Sequence, residues 1–259
     1  MDHSPEIAAM IAKYPSLKKP IETGIESHDG REQALLASIL NSLTLPKLKN
    51  SPSALLAAMD EFSSTHDFLI SIGPHKASIL SSLIEKEKPN VLVEIGGYLG
   101  YSAILFADAM RRARDSRPVS ETERRQQLRL WSIEISEEFG EIARQFIELA
   151  GLSDIVTVVV GTANVVLKNL KDEGKLGGVG MLFLDHVEKL YVEDFKVVEE
   201  LGLLKKGAVV VADNVVRPGA PEYREFVRGH SRLRSEGVRG LIQPGDLEDE
   251  LEISHVVSN

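Results

Sequence analysis

Short apolar runs alternate with longer amphipathic segments from residue 90 onward. A short, near-continuous apolar run is typical of a parallel strand that is buried on both faces of its sheet. Strands that alternate with helices in this way predict a doubly wound α/β fold. The predicted strands are Val91–Ile95, Leu130–Ile135, Val156–Val160, Met181–Asp185 and Ala208–Ala212.

The segment Ser136–Ala150 has the clearest helical pattern of the chain. Ser136 is placed to cap the helix N-terminus, and Gly151 is placed to end the helix. Acidic residues at 137 and 138 suit the positive end of the helix dipole. Apolar residues recur at the spacing of one helix face, so we expect this helix to pack on the sheet.

The first 66 residues also show helical spacing, most clearly in Arg31–Leu40 and Ser53–Phe62. Turn and cap residues at positions 50–53 separate these two helices. Neither helix carries an evident chemical cluster. We therefore expect residues 1–66 to be a helical N-terminal extension packed on the core, and residues 67–259 to form the main domain of one compact unit.

The C-terminal pattern differs from the rest of the chain. Leu241–Asp246 and Leu251–Val257 predict an antiparallel hairpin, with Pro244 and Gly245 in its connection. The complete prediction is a Rossmann-like, mostly parallel sheet with helices on both faces, a C-terminal hairpin and the N-terminal extension.

Composition narrows the possible functions. The chain has 259 residues, no cysteine and a net charge of −9. The absence of cysteine excludes disulfides and thiolate metal sites, and it fits a cytoplasmic protein. The negative charge argues against nucleic-acid binding, and no apolar run approaches the roughly 20 residues of a membrane span. We expect a small-molecule enzyme with no nucleic-acid or membrane partner, and the sequence does not predict its oligomeric state.

A glycine-rich turn follows the first predicted strand, in the stretch Val91–Ser102. Such a turn brings bare backbone and a helix N-terminus against a ligand. Its glycines follow the pattern G-G-x-x-G, whereas a dinucleotide site needs G-x-G-x-x-G. Glu94 before the turn suits a ligand that carries an ammonium group better than it suits a pyrophosphate. An ordinary strand-to-helix turn is the alternative.

Carboxylates follow four of the predicted strands at one edge of the sheet, at positions 94, 134, 185 and 213. Glu134 is placed to accept hydrogen bonds from a ribose, or else to face the N-terminus of the next helix. Asp185, Asp213 and Asn214 form a hard-oxygen set that suits Mg²⁺. An Asx turn is the alternative for the last two residues.

Taken together and in order, these motifs resemble the catechol O-methyltransferase family. The resemblance covers roughly residues 30 to 230. It implies that residues 67–259 form a methyltransferase domain that uses S-adenosylmethionine and Mg²⁺. The matching segments are Val91–Ser102, Trp131–Ile135, Ala150–Thr157, Leu182–His186, Leu203–Gly207 and Ala212–Val215, followed by Pro218-Gly219.

The resemblance also implies roles for individual residues. The methionine part of the cofactor would contact Ile72, Glu94, Gly96, Tyr101 and Ser102. The ribose would be bound by Glu134, and the adenine by Ile135, Ala163 and Asn164. Asp185, Asp213 and Asn214 would bind Mg²⁺, and Asp185 would also border the cofactor. The substrate would be a catechol-like or other phenolic molecule.

The sequence departs from the family pattern at the acceptor. Glu188 stands where the family has its basic lysine, and Lys189 is one residue later. Lys189 and His186 are therefore the alternative bases, unless none is used. Val187 and Phe68 stand where the family has tryptophans. The late glutamate that binds the second catechol oxygen has no clear match, with Gln243, Asp246 and Glu248 as candidates.

These departures leave other functions open. A non-catalytic member would bind the cofactor without methylating any phenol, and a metal-independent transferase would use Asp185 and Asp213 only to shape the pocket. A nicotinamide-dependent oxidoreductase is the remaining alternative. Between Arg111 and Arg129, seven arginines and three acidic residues predict a solvated extension of the first helix, or else a lid or docking patch.

Overall fold

The computed structural model describes residues 5–116, 127–242 and 247–259. Within them, seven strands form one sheet in the order β3-β2-β1-β4-β5-β7-β6. Strands β1 to β5 are parallel, and β7 pairs antiparallel with both β5 and β6. The strands are β1 Val91–Ile95, β2 Arg129–Glu134, β3 Val156–Val160, β4 Val179–Leu184, β5 Leu204–Ala212, β6 Leu233–Ile242 and β7 Leu247–Val256.

The predicted fold class is confirmed, with shifts at some strand ends. β5 begins at Leu204, before the predicted start at Ala208, because exposed Lys205 and Lys206 interrupt its apolar pattern. The hairpin strand β6 begins at Leu233, well before the predicted Leu241. It is only partly buried, and its sequence therefore lacks the apolar run that marks an inner strand.

Helices cover both faces of the sheet, as predicted. The helices before the sheet are α1 Pro5–Lys13, α2 Lys18–Thr23, α3 Arg31–Leu40, α4 Leu45–Leu48, α5 Pro52–Thr65 and α6 Gly73–Glu87. The helices that follow β1 along the chain are α7 Tyr101–Asp115, α8 Glu137–Leu149, α9 Ala163–Asp172, α10 Tyr191–Glu200 and α11 Pro221–Gly229. The Oγ of Ser136 accepts a hydrogen bond from the Phe139 backbone N–H at 3.3 Å, so the predicted cap of α8 is present.

Alternate residues of each inner strand contribute to two separate apolar clusters. Leu92 and Val211 belong to the cluster under α5, α6, α7 and α8. Val93 and Val210 belong to the cluster under α9, α10 and α11. This alternation follows from the two-residue repeat of a strand, and it explains why the strands are apolar on both faces.

The N-terminal extension shares the first of these clusters. Leu35 of α3 and Leu55 of α5 are fully buried there. Throughout the three described ranges, no helix combines the length and apolar character that crossing a membrane requires.

Some predictions fall beyond the described ranges. Pro244 and Gly245 of the hairpin connection lie outside the described residues, as do Gln243 and Asp246. Residues 117–126 of the arginine-rich stretch are outside as well. The described part of that stretch continues α7 to Asp115, as predicted.

Candidate active site

A cavity of about 1170 Å³ opens at the carboxyl ends of β1, β2, β4 and β5. In the sheet order, β1 lies between β2 and β4, so the chain winds in opposite directions from this point. Ligands of doubly wound sheets bind in the crevice at such a switch point. The cavity lining includes Glu134, Asp185 and Asp213 at successive strand ends.

The glycine-rich turn lies at one wall of this cavity. Gly96 has a φ of 97°, and a Cβ at this position would collide with the carbonyl oxygen of Asp185. Gly100 has a φ of 83° and immediately precedes α7, which begins at Tyr101. The turn therefore needs glycine at both positions, and it brings the N-terminus of α7 and the buried Ser102 to the cavity.

Glu94 is a fully buried acid beneath this turn. Its Oε2 accepts a hydrogen bond from Ser132 Oγ at 2.5 Å, and its Oε1 has no partner among the described residues. Burial raises the pKa of Glu94 to about 7, against the opposing effect of the Ser102 and Ser132 hydroxyls. A buried oxygen without a partner costs free energy, and a ligand ammonium group would supply the missing partner.

Glu134 lines the cavity and also binds the backbone of two loops around it. Its two carboxylate oxygens accept backbone N–H groups from Tyr98 at 2.7 Å and from Ser136 at 2.8 Å. The two predicted roles are therefore compatible, because an ionised carboxylate has about four acceptor positions. The positions that remain can accept ribose hydroxyls.

The predicted adenine edge also borders the cavity. Ile135 is 73% exposed although it is apolar, and Ala163 is buried at the start of α9. The Oδ1 of Asn164 is buried without a hydrogen-bond partner within the described part of the chain. An apolar surface beside an unused acceptor fits a flat heterocycle that carries an amino group.

Ile72 and Tyr101 flank the predicted position of the methionine part. Ile72 is buried and lines the cavity directly before α6. Tyr101 also lines the cavity, but its hydroxyl donates to Asp60 of α5 at 3.1 Å. Any contact that Tyr101 makes to a ligand would therefore involve its backbone or ring.

The predicted metal ligands are brought together by strand register. Leu184 of β4 pairs with Ala212 of β5, so Asp185 and Asp213 follow at neighbouring strand ends. Burial and the negative charge of Asp213 raise the pKa of Asp185 well above its ordinary value. The side-chain nitrogen of Asn214 donates to the Arg217 carbonyl at 3.1 Å. The amide oxygen of Asn214 is therefore available to coordinate a cation.

A buried lysine that the sequence did not reveal completes this cluster. The ammonium of Lys76 pairs with Asp213 Oδ1 and, at 2.6 Å, with Asp249 Oδ2. Three carboxylates, counting Asp185, then share one ammonium, and burial raises the pKa of both Asp185 and Asp213. The donor set and its charge therefore fit a divalent cation with oxygen ligands. No group of three or more His, Cys, Asp or Glu side chains with metal-site geometry occurs among the described residues.

The acceptor end of the cavity contains the positions that differ from the family pattern. Phe68, Val187 and Glu188 line the cavity, whereas Lys189 is not among the lining residues. His186 also lines the cavity, and its Nε2 is 2.7 Å from Asp194 Oδ2. The His186 Nδ1 is buried and has no partner within the described chain.

Lys76 and Asp249 were not identified from the sequence, although the helical spacing indicates that Lys76 is buried. Lys76 precedes Leu80 and Leu83 by four and seven residues, which places it on the buried face of α6. Asp249 lies on β7 and is 1% exposed. The residues of α1 and α2 that line the cavity could not be recognised from the sequence, because a half-buried apolar residue on a short helix is common.

Comparisons with known proteins find relatives in sequence and in fold. The sequence model of the O-methyltransferase family matches residues 50–225. Catechol O-methyltransferase of Bos taurus is 33% identical over 244 residues, which cover 94% of this chain and 83% of that protein.

Solved structures share the fold. An O-methyltransferase from Bacillus cereus, in complex with SAH, has a TM-score of 0.61 and 24% identity over 87% of this chain and 96% of its own. The O-methyltransferase TomG from Streptomyces achromogenes, in complex with SAM, has a TM-score of 0.61 and 24% identity over 87% of this chain and 95% of its own.

Proposed function

The chain belongs to the O-methyltransferase family, and we propose that it transfers the methyl group of S-adenosylmethionine to a hydroxyl of a small catechol-like or other phenolic molecule, with the assistance of Mg²⁺. The observation that carries this proposal is the position of the unpartnered Glu94 oxygen. It lies beneath the glycine-rich turn, directly behind a cavity that also receives the acidic cluster of Asp185, Asp213 and Asp249. One cavity thus offers a place for the ammonium group of a methyl donor and for a cation beside it.

Glu94 would bind the cofactor ammonium, and Glu134 would bind the ribose hydroxyls. The apolar side chain of Ile135 and the free oxygen of Asn164 would contact the two sides of the adenine. Ile72, Gly96 and the start of α7 at Tyr101 and Ser102 would enclose the methionine part. These residues line a single cavity, apart from Glu94, which is buried directly behind it.

Asp185, Asp213 and Asn214 would bind Mg²⁺. When bound, this ion stabilises the ionised form of a hydroxyl that coordinates to it. A free phenol has a pKa of about 10, so its ionisation at neutral pH needs such assistance.

The remaining contribution of the chain is orientation. A rigid cavity that aligns acceptor oxygen, methyl carbon and sulfur can lower a barrier by roughly 7–11 kcal/mol. Lys189 stands outside the cavity lining, whereas His186 and Glu188 line it and could receive the acceptor proton. Asp194 fixes the orientation of His186 through its Nε2.

Calorimetry with S-adenosylmethionine, followed by methyl transfer to a panel of catechols and phenols with and without Mg²⁺, tests the proposal. We expect cofactor binding, methylated product with at least one catechol, and strong loss of turnover in EDTA that Mg²⁺ restores. Absence of affinity for both S-adenosylmethionine and S-adenosylhomocysteine would refute the proposal as a whole.

A metal-independent transferase is the second candidate, and the buried ammonium of Lys76 favours it. Lys76 already neutralises part of the negative charge on Asp213. This candidate predicts full turnover after exhaustive chelation. A non-catalytic cofactor-binding member, favoured by Glu188 at the position of the family lysine, predicts binding without product in either condition.

A further inference from the structure

The cavity has a wall that lies outside residues 50–225, which the family model matches. The family model begins at residue 50, yet seven earlier residues line the cavity, and four of them come from the first two helices and the turn between them. Met10 comes from α1, Leu17 from the turn that follows it, and Pro20 and Ile21 from α2. Pro20 is buried and the other three are half-buried, so these four residues form an apolar wall, and Glu26, Ser27 and His28 form a polar margin directly after it.

Ion pairs hold this wall beside the acceptor end of the cavity. The fully buried side chain of Arg31 donates to the Phe68 carbonyl at 2.7 Å and to the Ile25 carbonyl at 2.9 Å. Lys19 of α2 pairs with Asp29 at 2.8 Å. Because Phe68 lines the cavity, these contacts place α2 beside Phe68 at the predicted acceptor end.

Exposed apolar side chains from other segments also line the cavity. Ile70 is 41% exposed, Val187 is 58% exposed and Leu190 is 42% exposed, and all three line the cavity. Large apolar side chains exposed around one concavity indicate a ligand that covers them. Ile70 and the 187–190 turn flank Phe68 and the predicted metal ligand Asp185 along the chain, which assigns them to the acceptor.

The cavity is therefore polar at the strand ends and apolar toward α1 and α2. Its volume of about 1170 Å³ exceeds the roughly 300–1,000 Å³ of a pocket for one small ligand. Both the cofactor and an extended acceptor can be accommodated. An acceptor that matches the gradient has its hydroxyls at the acidic cluster and an apolar group at the helices.

From these contacts we propose that α1 and α2 form an acceptor-specificity wall, and that the natural acceptor is a catechol-like molecule with an uncharged apolar substituent. This inference rests on the function proposed above. Leu17, Pro20 and Ile21 contact the substituent from one side, and Val187 and Leu190 contact it from the other.

A series of 4-alkylcatechols, from methyl to hexyl, tests the wall on the full-length protein. We expect kcat/KM of the wild type to rise with chain length, by up to about fourfold per methylene that becomes buried, which corresponds to ~0.8 kcal/mol. Ile21→Thr replaces the ethyl branch of the side chain with a hydroxyl, and we expect it to reduce this gain to about twofold or less. Calorimetry of the same compounds with the S-adenosylhomocysteine complex should give the same trend without turnover.

Ile11→Thr is the matched control. Ile11 is a half-buried isoleucine of α1 that is not among the cavity-lining residues, so its variant should keep the wild-type dependence on chain length. Leu17→Thr is the second test variant, should Ile21→Thr fail to fold by its melting curve. A flat series in the wild type, or an unchanged series in the wall variants, overturns the inference while catechol is still methylated. If no catechol binds or reacts and S-adenosylhomocysteine does not bind, the proposed function itself has failed and this inference fails with it.

Discussion

At the residue scale, Glu94 is the position where sequence and structure inform each other most directly. Its place before G-G-x-x-G predicts contact with an ammonium group, and its burial gives that contact a measurable consequence. Burial raises the pKa of Glu94 to about 7, so the side chain is close to half protonated in the unliganded protein at neutral pH. A ligand ammonium favours the carboxylate and would therefore expel the proton.

We accordingly expect S-adenosylhomocysteine binding at pH 7 to release up to about half a proton from this group. Below the folded pKa the bound proton opposes the ligand, so affinity should fall by about fivefold from pH 7 to pH 6. Calorimetry in two buffers that differ in ionisation enthalpy measures the release directly. Glu94→Gln should bind more weakly and lose this component of the pH dependence, whereas wild-type affinity and pH dependence in this variant would exclude Glu94 as the partner.

The same residue influences the stability of the unliganded protein. A carboxyl group whose folded pKa is raised favours its protonated form in the folded state. Its contribution to stability is therefore largest below its ordinary value of about 4.5, and it is lost as the pH rises toward about 7. The cofactor would restore that loss, so Glu94 couples ligand binding to folding in the neutral range.

At the element scale, periodicity predicted the elements that pack against the sheet and missed the ones defined by polar contacts. β1 and β3 were predicted with their observed ends, because an inner parallel strand is apolar throughout. The hairpin strand β6 was found only at its end, since an edge strand alternates and carries charges. The α2 helix has six residues and is positioned by ion pairs, which no hydrophobic pattern encodes.

The position of the segment between α2 and α3 depends on Arg31. Its guanidinium binds Asp29, at 2.8 Å from both Nε and Nη2, and two backbone carbonyls. Replacing Arg31 with Met would leave two backbone carbonyls without their donor and Asp29 with only the half-exposed Lys19 as its partner. We expect Arg31→Met to lower the free energy of unfolding by about 3–5 kcal/mol, as for other broken buried ion pairs.

Urea denaturation measures this loss, and Arg144→Met provides the comparison. Arg144 pairs with Glu137 and Glu141 on the surface of α8, with 39% of its side chain exposed. Exposed pairs contribute about 0–1 kcal/mol, so this variant should stay close to the wild type. Equal effects of the two substitutions would mean that the Arg31 contacts do not hold the N-terminal helices in place.

At the scale of the whole molecule, the sheet brings together charges that are far apart in the chain. Lys76, Asp213 and Asp249 come from α6, the end of β5 and β7, and the strand register places Asp185 beside them. The sequence predicted the two aspartates that follow parallel strands, because strand ends converge at one edge. It did not predict Lys76 or Asp249, because their meeting depends on how α6 and β7 pack together.

The charge imbalance of this cluster predicts how Mg²⁺ affects the fold itself. An ion that binds only the folded state stabilises it by about 2.7 kcal/mol at a hundred times its dissociation constant. We therefore expect Mg²⁺ alone to raise the melting temperature, and Asp185→Asn to abolish that rise because the variant replaces a carboxylate ligand, which can carry a negative charge, with a neutral amide oxygen. Lys76→Met should melt at a lower temperature without metal, by a loss of about 3–5 kcal/mol, and gain more than the wild type from Mg²⁺. Asp154→Asn is the control, since Asp154 is a surface residue whose side chain is 69% exposed. A Mg²⁺-induced rise that survives unchanged in Asp185→Asn would place the cation elsewhere, and the absence of any rise in the wild type would favour the metal-independent transferase, with Lys76 as the permanent cation of the site.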